Sequence, residues 1–269
     1  MLHYSLEPTT KVTGQKIREI IIEQSYRAGV GHIGSALSIS DLVACLYDGV
    51  LNVDSPGEPD RDRLVLSKGH AALAIYAAFA LKGWISWADL DTFCGDGSAL
   101  GVHPELVCPG VDFATGSLGQ GLSFAALAAR LQSSKRRAFA IISDAECNEG
   151  AMWEAIMFAG HHKLGNLIVL LDWNGQQAFG YTKDVLDLSP IEKKFEAFNW
   201  DAQVVDGHDV EGLAKRIRAI DSADGRPHIF IANTTFGKGV SFMEHQIKWH
   251  YSPLSKEEYE AAMSDLRSR

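Results

Sequence analysis

Asp144 and Asn174 each stand just past a short apolar run, residues 138–142 and 167–171, and an amphipathic pattern fills the stretch 148–163 between them. Two short apolar runs flanking a helix predict a β-α-β unit with parallel strands. Such crossovers are nearly always right-handed and leave both strand ends at one edge of the sheet. Asp144 and Asn174 are therefore expected to face one crevice, the place where open α/β sheets take ligands. A carboxylate and an amide oxygen there suit a hard cation whose other ligands are phosphate or water. The plainer reading is that both residues end their strands, since Asp and Asn are common turn formers. This unit taken alone leaves the plainer reading slightly ahead.

Ten histidines offer further chemistry. His32, His70, His103 and His250 fall in predicted loops, the first three beside Gly or Pro. Loops on an α/β scaffold concentrate function, and imidazole titrates near neutrality. A lone loop histidine is more often incidental; four are harder to dismiss, although their convergence is not readable from spacing. His161 and His162 sit near a helix C-terminus, where positive charge is favourable, and read as structural or exposed. No zinc spacing and no hydrolase elbow occurs. The run Gly116-Ser117-Leu118-Gly119-Gln120-Gly121 opens a helix over 122–131. Its backbone N–H groups could approach an anion; a tight turn with close packing explains the glycines equally well. The spacing is neither a Walker A loop nor a dinucleotide fingerprint.

The elements that must position these residues follow from periodicity. Helices are predicted over 11–28, with Gly29 as stop, and over 38–50. A strand over 63–67 leads into an alanine-rich helix ending near Gly83. Ser86 and Asp89 have capping-box spacing. Residues 94–115 form a long glycine- and proline-rich loop, and long loops in compact domains are usually functional or mobile. Residues 176–189 and 235–254 read as loops. Pro190 starts a helix, 201–205 and 228–232 are strands, Asp209 caps a helix, and Ser255 with Glu258 caps the last one. The sum is about five strands alternating with helices: an α/β fold with a doubly wound, mostly parallel sheet in three layers, as one domain over 1–269.

Bulk properties narrow the partners. The chain has 269 residues, 46% of them hydrophobic, enough for one large domain. A net charge of -9 argues against nucleic acid held by phosphate contacts. No apolar stretch approaches the ~18 residues of a membrane span, and residues 1–11 lack the pattern of a secretory signal. The four cysteines form no C-x-x-C pair and read as reduced thiols of a cytoplasmic protein. Cys147 lies near the Asp144 strand end and reads as a small buried filler.

Several stretches, taken in order, carry a resemblance. Gly31-His32, Ser67-Lys68-Gly69-His70-Ala71, His103-Pro104-Glu105, Thr115 through Gly121, Asn148-Glu149-Gly150, Asp206-Gly207-His208-Asp209, Lys238 through Glu244, and Trp249-His250 fall as they do in transketolases. Each is weak alone; together, at ordinary spacing, they are specific. The chain resembles the N-terminal, diphosphate-binding third of that family, which is a separate subunit in split-gene members. The similarity runs from about residue 17 to the last helix.

The resemblance implies a thiamine diphosphate-binding fold and transfer of a two-carbon ketol unit from a ketose to an aldose. Asp144 and Asn174 would occupy the two ends of the thiamine-enzyme motif. With the backbone carbonyl of Gln176 they would hold Mg²⁺ or Ca²⁺, and the metal would grip the diphosphate. Gly116 and Leu118, flanking Ser117, would contact the aminopyrimidine through their backbone. His70 and His250 would touch the diphosphate end. His32 and His103 would bond the donor's oxygens in the substrate channel, with Ser35 a lesser contributor. Glu149 would pair with a glutamate of a neighbouring chain. The family's pyrimidine-binding domain is not among these residues. The implied partner is a C-terminal transketolase subunit carrying it, in a heterotetramer with two of each chain, acting on sugar or sugar-phosphate substrates.

This sequence also departs from the family. Gly-Asp-Gly has become Ser143-Asp144-Ala145. Were a left-handed backbone needed at Ala145, its Cβ would cost on the order of 1 kcal/mol and weaken cofactor binding. Trp173 precedes Asn174 where small or polar residues are usual, Phe236 stands where many relatives carry a lysine, and Ile33 replaces a proline. These departures imply a divergent member acting on an unusual sugar. Two rival readings remain. One is another thiamine-dependent subunit, of the 2-oxo acid dehydrogenase or deoxyxylulose-phosphate synthase type. The other is a non-catalytic scaffold subunit, against which the retained Asp144, Asn174, Glu149 and histidines weigh.

Overall fold

The computed structural model describes residues 11–131 and 136–268. The N-terminal stretch read as lacking a signal lies outside the described residues, apart from its last position. Helix α1 (Gly14–Ala28) starts where the Thr13 side chain accepts from the Lys16 N–H and stops at Gly29, φ 63°. Helices α2 (Ile33–Ser38) and α3 (Ser40–Cys45) follow, the latter running into a π-type turn to Val50. After β1 (Arg63–Leu66) come α4 (Ala72–Leu81), α5 (Trp87–Leu90) and α6 (Gly121–Leu131). The central unit is β2 (Ala138–Ser143), α7 (Gly150–His161) and β3 (Leu167–Trp173). A two-residue hairpin, β4 (Gln176–Gln177) and β5 (Gly180–Tyr181), leads to α8 (Thr182–Leu186) and α9 (Ile191–Ala197). The chain ends with β6 (Asp201–Asp206), α10 (Val210–Arg218), β7 (His228–Asn233) and α11 (Lys256–Arg267).

Five strands pair in the order β1-β2-β3-β7-β6, and every pairing among them is parallel. Alternation along the strands divides the core in two. Phe139, Ile141, Ile168, Leu170 and Phe230 pack toward the side of α1, α3, α4, α10 and α11. Ala138, Ala140, Ile142, Val169, Leu171 and Ile231 pack toward α6, α7 and α9. Strands buried on both faces explain why the sequence shows continuous apolar runs rather than alternation. The expected three-layer α/β sheet is therefore present. All ten residues of α4 are buried, as an alanine-rich helix without a polar face must be.

Three local expectations are corrected. The helix expected over 38–50 begins earlier, at Ile33, and breaks at Ile39 (φ -92°, ψ 3°). There the Ser40 hydroxyl donates to the Ala36 carbonyl, a local bond of the kind that competes with helix geometry. The stretch 176–189 is not structureless: it holds the β4–β5 hairpin and α8. The loop 235–254 contains a 3₁₀ turn, Ile247–His250. Among the described residues no helix is long and apolar enough to cross a membrane. The four cysteines are free, and Cys147 is fully buried with its thiol pushed well up by burial.

Candidate active site

In-register pairing of Ser143 with Asp172 puts the ends of β2 and β3 side by side, with Asp144 and Asn174 just beyond them. Asp144 is almost completely buried. Its Oδ1 accepts from the Ala145 N–H at 2.8 Å; its Oδ2 accepts from the Gly175 N–H at 2.9 Å and the Thr182 hydroxyl at 2.8 Å. One carboxylate thus fixes the turn that carries Asn174 and Gln176. Asn174 Oδ1 accepts from the Gln176 N–H, and its Nδ2 donates to Ser38 Oγ and Asp172 Oδ2. Burial, then the nearby Asp172 charge, pushes Asp144 up to about 7. Among the described residues no lysine or arginine pairs with it. A buried carboxylate lacking a cation, facing an amide and a main-chain turn, is a donor set that fits a hard divalent ion. Among the described residues no trio of His, Cys, Asp or Glu side chains could hold a metal; the expected set has only one such side chain.

The four expected histidines meet in a cavity of about 600 Å³ that Asp144 and Asn174 also line. His32 and His70 ring centroids lie 5.3 Å apart, His70 and His250 6.4 Å. Ser35 Oγ and His70 Nε2 are hydrogen-bonded at 2.8 Å. Not all of these residues sit in open loops. His32 caps α2 in a left-handed conformation (φ 61°), Ser35 lies within α2, and His70 and His250 lie in 3₁₀ turns. The His32 N–H donates to the His250 carbonyl at 3.2 Å, joining two distant segments. Burial, then the His103 charge, lowers His32; burial, then Lys68, holds His70 well below its usual value. Burial, then Lys68, lowers His250 to about 4. His32 Nδ1 and His250 Nε2 are buried without a partner. These are neutral imidazoles with unused polar atoms, suited to binding a ligand's oxygens or nitrogens.

Gly116 and Leu118 line the same cavity, whereas Ser117 is exposed and does not. Gly116 (φ 157°) lies against His103; a Cβ there would come within 3.0 Å of the ring. Glu149 is exposed at the cavity mouth, at the start of α7. Ala145 lines the cavity and its φ is not positive. The strain considered for this alanine is therefore absent, because the segment after Asp144 is 3₁₀-helical. Trp173 does not reach the cavity: strand alternation turns it toward the core beneath α7 and α9. Phe236 is buried and stacks on His250, ring centroids 4.6 Å apart. Ile33 is buried at the start of α2.

Two groups escaped the reading of the sequence. Lys68 and Asp172 form a buried ion pair beneath the cavity, and Asp172 also accepts from Ser38 and Thr234. Glu146 is a fully buried carboxylate beneath the Gly116–Gly119 turn. The signal for the first lay inside motifs already noted, Ser67-Lys68-Gly69-His70 and Asp172-Trp173-Asn174. For the second, a glutamate beside a cysteine gave no pattern.

The fold and this site define the class. A family model for the transketolase thiamine diphosphate-binding domain matches residues 9–267, and the chain belongs to that family. Among its relatives is a 6-deoxy-6-sulfo-D-fructose transketolase subunit of a Clostridium strain, 41% identical over 93% of both chains. One of the two subunits of an apulose-4-phosphate transketolase from Phocaeicola vulgatus is 37% identical over 97% of this chain and 95% of that one. The transketolase of Campylobacter jejuni superposes with a TM-score of 0.87 at 30% identity, over 96% of this chain. The chain spans 42% of the length of that transketolase.

Proposed function

We propose that this chain is the diphosphate-binding subunit of a two-chain transketolase, a single domain that transfers a two-carbon ketol unit only with its partner. The observation that carries this reading is the convergence of Asp144, Asn174 and four histidines on one strand edge. Thiamine diphosphate supplies the electron sink that lets a carbon–carbon bond beside a ketone break and form. Asp144, Asn174 and the Gln176 carbonyl hold Mg²⁺ or Ca²⁺ against its diphosphate. Gly116 and Leu118 offer backbone groups to its aminopyrimidine, and His70 and His250 border the diphosphate end. His32 and His103 bind the donor's hydroxyl and carbonyl oxygens and move protons there. Glu149, exposed at the cavity mouth, meets the partner subunit in a heterotetramer. Free cysteines suit a cytoplasmic protein.

The substrate is a ketose with an anionic tail, the class named for both subunit relatives, one a sulfonate and one a phosphate. Among the described residues Lys68 is the only lysine or arginine lining the cavity, and Asp172 occupies it. Recognition of the tail therefore falls to the partner. The test is reconstitution. The chain alone should show no ketol transfer from a ketose phosphate, and the complex with a pyrimidine-domain subunit should show it. Full activity of the isolated chain, or none from the complex with any ketose phosphate or sulfonate, would contradict the reading.

A further inference from the structure

We propose that Glu146 is a positioning residue: its carboxylate clamps the turn at Gly119 to the end of β2, so that the turn, Glu149 and Asp144 hold one fixed arrangement. Glu146 Oε1 accepts from the Ser67 hydroxyl at 2.6 Å and the Gly119 N–H at 3.0 Å. Oε2 accepts from the Ser143 N–H at 3.0 Å and the Ser143 hydroxyl at 3.3 Å. Three separate segments are thereby tied through one side chain that is excluded from water: the end of β1, the turn before α6, and the end of β2.

Close packing removes slack from the same junction. Gly119 has φ 85°, and a Cβ there would lie 2.7 Å from Glu149 Cβ. A Cβ on Gly121 would lie 2.4 Å from Ser67 Oγ. The turn backbone therefore rests directly on Glu149 on one side and on Ser67 on the other. Asp144 lies two residues before Glu146 and Glu149 three residues after it. A shift of the carboxylate would move the metal-side aspartate, the turn and the partner-side glutamate together. What the turn contacts rests on the transketolase reading above; the clamp itself does not.

Hydrogen-bond valence makes the role testable. A carboxylate accepts at every position it is offered a donor, whereas the amide of glutamine is a donor at one end. In Glu146→Gln the NH₂ must oppose either the Gly119 N–H or the Ser143 N–H. Shape is kept and one backbone donor is left buried without an acceptor. If Glu146 only filled space, glutamine would behave as wild type.

The experiment compares amide hydrogen exchange of the full chain, wild type against E146Q, with thermal unfolding alongside. E146Q should stay folded, with exchange at Gly119 or Ser143 raised about tenfold or more and amides within 139–141 and 168–171 unchanged. Thiamine diphosphate with Mg²⁺, titrated into the complex with the partner, should bind E146Q about tenfold more weakly. Wild-type exchange at both amides would overturn the proposal, as would a uniform loss of protection across the sheet. Should E146Q not fold, E146D keeps the charge one methylene short and is read by the same two amides. A wild-type complex that never binds thiamine diphosphate would overturn the transketolase reading, and the exchange result would still decide the clamp.

Discussion

Lys68 Nζ lies 2.5 Å from Asp172 Oδ2, and both side chains are excluded from water directly under the candidate site. The pair joins the turn after β1 to the end of β3. Asp172 also accepts from Ser38, Thr234 and Asn174, so four segments converge on one carboxylate. The ion pair holds the floor on which His70, Ser35 and Asn174 stand.

Replacing Lys68 by methionine leaves Asp172 buried without its cation. Such uncompensated charges cost about 3–5 kcal/mol. Urea unfolding of K68M should show that loss, and K68M/D172N should regain part of it. A K68M chain within about 1 kcal/mol of wild type would refute a structural role for the pair.

The buried histidines make the fold sensitive to acid. His250 titrates at about 4 in the fold, held down by burial and then by Lys68, against about 6.5 when unfolded. The unfolded chain therefore binds the proton first. Stability from this group is present above pH 6.5 and is lost as pH falls toward 4. His250→Asn should flatten part of the decline in melting temperature across that window; His70 and His32, shifted the same way, keep the rest. An H250N profile parallel to wild type would rule His250 out as a contributor.

Gly34 abuts Phe236, and a Cβ on it would fall 2.2 Å from the ring. Phe236 in turn stacks on His250. Gly34→Ala must displace that ring, an overpacking that costs about 1–3 kcal/mol. The variant should be destabilised by this amount in denaturant, and the His250 ring resonances should move by NMR. An unchanged His250 spectrum would show that the Phe236 stack does not set its orientation.

The fold was legible where local patterns are strong. The apolar runs of β2 and β3, the Ser86–Asp89 and Ser255–Glu258 capping boxes and the Asp209 cap all occur as expected. The break at Ile39 and the β4–β5 hairpin were not legible, because serine back-bonding and a two-residue ladder leave no periodicity. Asp144 and Asn174 were placed correctly on one edge by the handedness of a single crossover. The meeting of four histidines was not derivable from spacing, since it depends on contacts such as His32 with His250 across more than two hundred residues. Lys68, Asp172 and Glu146 escaped because buried charges are recognised by their partners, and partners are tertiary facts.

Whether Asp144 holds a metal-bound diphosphate is settled most directly by calorimetric titration of the reconstituted complex with thiamine diphosphate, in Mg²⁺ and in chelator, for wild type and Asp144→Ala. Loss of the groups that orient a metal's ligands typically weakens the site by about 10- to 100-fold, and loss of a ligand itself by no less. The wild type should bind only with Mg²⁺, and D144A should bind at least ~100-fold more weakly while staying folded. Metal-independent binding, or a folded D144A with wild-type affinity, would contradict the account.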